Sequence, residues 1–111
     1  MRLKAIGNIL SLETGESMNT GTSNWHRAIF TFDQAWEGMS RVVVWRTVYG
    51  KWILPLKSDV CLVPEEALAH PVDLLVAVYG VVGKVVLTTN YVSLGRVEPG
   101  ADDPEVGSDE T

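Results

Sequence analysis

The sequence is short of the residues that carry most site chemistry: one cysteine, two histidines, and no long apolar run. A single thiol, Cys61, rules out an intrachain disulfide framework, so the fold must stand on packing. Within Val60-Cys61-Leu62-Val63 it reads as a small buried hydrophobe rather than a reactive group. The longest apolar stretch, Leu74 to Val82, is interrupted by Gly80 and is far shorter than a membrane-spanning helix requires. No uninterrupted apolar segment follows the basic residues of the first dozen positions, so no secretory signal is visible. The expectation is a soluble chain made in a reducing cytoplasm.

Catalytic patterns are equally scarce. His26 and His70 have no Cys, Asp or His neighbour at metal-ligand spacing. There is no G-x-S-x-G elbow, and Gly80-Val81-Val82-Gly83-Lys84 lacks the spacer, the following Ser or Thr and the helix of a phosphate loop. Glu65 and Glu66 are adjacent, so on a helix they point about 100° apart and do not face each other as an acid–base pair. No enzyme activity, cofactor or metal is expected.

Charge narrows the partners. The 111 residues carry nine basic and fourteen acidic side chains, a net charge of −5. Asp102, Asp103, Glu105, Asp109 and Glu110 fall in the last eleven residues, which contain no Lys or Arg. A neutral body, residues 1–100, is thus followed by an acidic tail, residues 101–111, with linker composition. Duplex nucleic acid and anionic membranes both reward clustered Lys and Arg, so neither is expected as the main partner.

What is present is β-structure. Leu3–Leu12, Ala28–Phe32, Arg41–Tyr49, Trp52–Leu56, Asp59–Val63, Leu74–Tyr79 and Lys84–Leu94 read as some seven short strands between turn signals. Pro64 to Ala69 suits one short helix, with Pro64 at its first position and Glu65 and Glu66 favourable at its start. Gly50-Lys51 reads as a hairpin turn, and Gly80 to Gly83 as the connection of the last hairpin. The expected fold is all-β: a single small antiparallel β-sandwich or barrel-like domain with that short helix.

Two strands lack the polar face that a half-solvated strand shows. On the third strand Val43, Trp45 and Tyr49 alternate with Val42, Val44 and Val48; on the sixth, Leu74, Val76 and Val78 alternate with Leu75, Ala77 and Tyr79. Either these strands lie centrally under loops or one face packs against another chain. The contact candidates are Val42, Val44, Trp45, Val48, Leu75 and Tyr79. Four tryptophans offer a further role: Trp36 and Trp45 sit among core-like neighbours, while Trp25 and Trp52 have polar neighbours and are candidates for stacking on a glycan.

The run from Phe30 to Met39, Phe-Thr-Phe-Asp-Gln-Ala-Trp-Glu-Gly-Met, resembles an F-x-F-[DS]-x-x-W-x-G signature of small β-domains in bacteriophage tails. Those domains open the upper baseplate or tail-fibre proteins of phages and prophages of Gram-positive bacteria. The likeness continues through Val60 to Leu68, Val76 to Gly80 and Leu87 to Gly95, and spans about residues 25–100. Its signature positions here are Phe30, Phe32, Asp33, Trp36, Gly38, Pro64 and Gly80. The resemblance implies a non-catalytic virion attachment module, made in the host bacterial cytoplasm. It would contact other virion proteins and itself, often as a trimer, with host-surface glycan as a further partner. A capsid decoration or head-fibre protein is the alternative within that class, and a glycan-binding β-sandwich the alternative outside it.

Overall fold

A computed structural model describes residues 1–101. The acidic tail expected at residues 101–111 lies, apart from Ala101, outside the described residues. Nine strands are present: β1 (Arg2–Ile6), β2 (Ile9–Thr14), β3 (Arg27–Phe32), β4 (Ser40–Thr47), β5 (Gly50–Pro55), β6 (Val60–Leu62), β7 (Asp73–Val82), β8 (Val85–Thr88) and β9 (Val92–Arg96). The first sheet runs β2-β1-β3-β6, and the second runs β5-β4-β7 with β8 and β9 following one another along the far edge of β7. The ladders between these strands are antiparallel except β1 with β3, made parallel by the long crossover after β2.

Period-two alternation builds the core. Leu3, Ala5, Leu10, Ala28 and Phe30 point inward from the first sheet; Val43, Trp45, Leu74, Val76 and Val78 point inward from the second. The inner faces close on each other as a sandwich, so the all-β expectation holds.

Several boundaries differ from the sequence reading. Leu3–Leu12 is a hairpin, not one strand: Ile6 pairs with Ile9 around Gly7-Asn8. The β4–β5 turn is Val48-Tyr49, because Thr47 pairs with Gly50 and the Thr47 hydroxyl accepts from the Tyr49 N–H at 3.1 Å. Lys84–Leu94 breaks between β8 and β9, where Thr89 Oγ1 takes the Val78 N–H at 3.0 Å in place of a backbone carbonyl. The short helix is a single 3-10 turn, Glu65–Leu68, with Pro64 as its cap rather than its first residue.

Two residues join the sheets. Trp36, fully buried, donates its indole N–H to the Gly7 carbonyl at 2.8 Å. Its ring lies against Gly80, where a β-carbon would fall about 3.1 Å from Trp36 Cε3 and as close to Met39. Gly80 therefore sits inside β7, paired between Arg41 and Leu87, instead of releasing the chain from it. The corner before β4 is framed by Asp33, which accepts from Ala35 and Gly7 N–H groups at 3.2 and 3.1 Å. Gly38 supplies the positive φ, +76°, that turns the chain into β4. On the other side Asn90 reaches β2: its side chain accepts from the Leu10 N–H at 3.0 Å and donates to the Leu10 carbonyl at 3.1 Å. That amide stands in for a strand partner and closes one seam of the sandwich.

Candidate docking surface

Register fixes what each sheet shows outward. On β4 the outward residues Val42, Val44 and Arg46 lie opposite Tyr79, Ala77 and Leu75 of β7, and opposite Pro55, Ile53 and Lys51 of β5. Val81 and Val86 extend the same face toward the β7–β8 turn. No strand of the described chain packs over it, and its margins are open: Ile53 is 51% exposed and Val86 60%. At its centre Val44 and Ala77 are each only 6% exposed, since they are shorter than the side chains around them. The result is a shallow hollow of about 280 Å³ rimmed by Ile53, Tyr79, Tyr91 and Lys51. Arg46 lies over the Tyr91 ring at 5.4 Å, which holds one cationic head at the margin of the apolar area.

The sequence candidates divide accordingly. Val42, Val44, Leu75 and Tyr79 share this outer face. Val48 sits at the adjoining turn, 84% exposed. Trp45 does not join them. It has the opposite parity on β4, is fully buried between the sheets, and cannot meet another chain in this fold. Tyr49 leaves the Val43–Trp45 face because it belongs to the turn, where its ring stacks on His70 with centroids 4.1 Å apart. The face also holds Ala77, which the alternation had placed beside Leu75 and Tyr79, and Ile53, Val81 and Val86, which the sequence reading did not single out. Alternation in Lys51-Trp52-Ile53-Leu54 could have found Ile53; Val81 and Val86 needed the true position of the last turn.

The two glycan candidates are not equivalent. Trp25 is 76% exposed on the loop before β3. Trp52 pairs with Trp45 and packs partly buried against the core, so it offers no free ring face comparable to that of Trp25. The signature residues other than Pro64, which caps the 3-10 turn, gather at one corner: Phe32 packs on Trp36 with centroids 5.1 Å apart, and Arg41 lies 4.2 Å over the Phe32 ring. Arg41 also donates to Asp59 and to the Trp36 carbonyl, both at 2.8 Å. Two Arg41 nitrogens and the Asp33 carboxylate are thus engaged in holding the corner, while Arg41 Nε is buried without a hydrogen-bond partner.

Titratable groups elsewhere are structural in their contacts. Glu16 accepts from the Met1 amino group at 2.7 Å and pairs with His26 Nδ1. These two contacts, the amino group first, hold the Glu16 carboxyl below its ordinary value. Burial pushes the Cys61 thiol up, with the neighbouring Trp45 N–H pulling weakly the other way. That indole N–H makes no hydrogen bond of normal geometry. Among the described residues no three His, Cys, Asp or Glu side chains gather as a metal site, and no helix is long and apolar enough to cross a membrane.

Compared with protein-family models, with curated proteins and with solved structures, the chain matches none.

Proposed function

We propose that this chain is a structural protein of a bacteriophage virion: a non-catalytic, oligomerising attachment module of the tail, baseplate or fibre. The observation that carries the docking role is the uncovered apolar outer face of β5-β4-β7-β8. A contiguous face of this kind costs solubility unless a partner protein covers it. The phage assignment rests on the resemblance of the Phe30–Met39 corner and its companion segments, and so does the expectation of three copies among other virion proteins. The test is to purify particles from a lysogen or phage encoding the chain, and to seek its peptides and antibody label on them. Label on the tail end supports this reading; label on the head moves the module to capsid decoration; absence from intact particles overturns the virion assignment.

A glycan-binding reading draws on one observation, the exposed ring of Trp25. It predicts that Trp25→Ala abolishes retention on host cell-wall glycans while leaving particle incorporation unchanged. Retention unaffected by that substitution removes it.

A further inference from the structure

Resting on the docking role just proposed, we infer that the occupant of the second sheet's outer face is a second copy of this chain, packed face to face about a twofold axis. The size of the face is the first reason. Three strand widths of ~4.8 Å over seven residues of ~3.3 Å, with the short β8 filling one corner, span roughly 14 by 23 Å plus that corner, and side-chain relief brings this to about 500 Å² per copy. Two copies would bury about 1,000 Å², the size at which a specific interface begins.

The charge distribution of the face suits a second copy of itself under a twofold. The central hollow of Val44 and Ala77 is flanked by Ile53 and Lys51 on one side and by Tyr79, Thr88 and Tyr91 on the other. The strands of the two copies run antiparallel. Arg46 and Lys51 are cross-strand neighbours at one end of the face, where β7 adds the single carboxylate Asp73, whereas Ser40, Val81 and Val86 at the other end are uncharged. A parallel stacking would bring four cations together. The twofold separates them and lays their aliphatic stems over the partner's valines, heads to solvent.

The chain's own acidic segment is a poor cover for this face. Residues 102–111 contain one aliphatic side chain, Val106, among five carboxylates. A face meeting the same face is isologous and makes pairs; a threefold ring would require it to meet some other surface of the next copy. In this respect the inference departs from the three copies that the resemblance favours.

The experiment is light scattering of the full chain over a concentration series, with Ile53→Glu and Val86→Glu variants checked for folding by circular dichroism. Both sites are exposed, so the variants retain the core. The expected result is a particle of twice the 12.2 kDa chain mass, with each substitution weakening association roughly tenfold or more. A trimer dissolved by Ile53→Glu overturns the twofold and leaves the docking face standing. A dimer indifferent to both variants overturns the inference and the proposed role of this face. A monomer at all concentrations overturns the self-pairing, and whether Ile53→Glu still enters particles then decides the docking role separately.

Discussion

The two sheets bury similar inner faces and differ outside. Across β1 and β3 the outward residues are Arg2, Lys4, Ile6, Arg27, Ile29 and Thr31; β2 adds Ile9, Ser11 and Glu13, and β6 adds Val60 and Leu62, so the apolar positions are interspersed with charge. Across β4 and β7 the outward residues are Ser40, Val42, Val44, Arg46, Leu75, Ala77, Tyr79 and Val81, and β5 and β8 add Lys51, Ile53, Pro55, Val86 and Thr88, so that charge is confined to the end at Arg46, Lys51 and Asp73. Both sheets come from the same chain and close the same core, so core formation alone does not account for the second pattern. A single outward hydrophobe is ordinary on a protein surface; a contiguous sheet of them marks a contact.

That contrast can be broken from inside first. Trp36→Ala removes the ring that ties the β1–β2 turn to β7, and is expected to cost about 3–5 kcal/mol, read as a lower midpoint in urea unfolding. Both outer faces would be lost together, which sets the scale for the remaining variants. Asn90→Ala strands the Leu10 N–H and carbonyl at the seam between the sheets; the expected cost is about 1–3 kcal/mol by the same measurement. Gly80→Ala places a β-carbon about 3.0 Å from Met39 Sδ and 3.1 Å from Trp36, with an expected loss of about 1–3 kcal/mol.

A matched pair tests the faces themselves. Ile9→Glu, on the first sheet's outward side at 63% exposure, should change stability by no more than about 0.5 kcal/mol and leave the solution mass unchanged. Ile53→Glu, of similar exposure, should lower the mass. Equal behaviour of the two would erase the distinction drawn between the sheets.

The smallest effect is acid-dependent and concerns the end of the molecule that both sheets share. Glu16 has its folded pKa lowered, so its contribution is fully present above its ordinary value of 4.5 and is lost as pH falls through the lowered folded value. The stability gap between the native chain and Glu16→Gln should therefore shrink on acidification below pH 4.5, measured by thermal unfolding across a pH series. The carboxylate is about one-third exposed, and solvent screening keeps the gap small.

Much of this architecture was legible in the residues. Alternation assigned Leu74, Val76 and Val78 to one side of β7 and Leu75, Ala77 and Tyr79 to the other, because side chains in a strand alternate whatever the surroundings. The Phe30–Gly38 corner was also readable, since Asp33 caps locally and Gly38 alone tolerates its φ. Turn positions were less so. Gly50-Lys51 carries a stronger turn signal than Val48-Tyr49, but pairing of Trp45 with Trp52 moves the turn two residues earlier. Gly80 looked like a chain break for the same reason: glycine signals a turn locally, and only the distant Trp36 ring explains one inside a strand.

The sequence by itself determined the β-class, the strand faces and the double-sided apolar pattern, all properties of neighbours two to five residues apart. Tertiary structure decided which of the two apolar sides became core. Trp45 and Val44 are adjacent and both apolar, yet one is sealed between the sheets while the other forms the floor of an open hollow. No local rule separates them, because the choice depends on which side of β4 the first sheet closes over. That closure is set by contacts between residues far apart in the chain, Trp36 to Gly7 and Asn90 to Leu10.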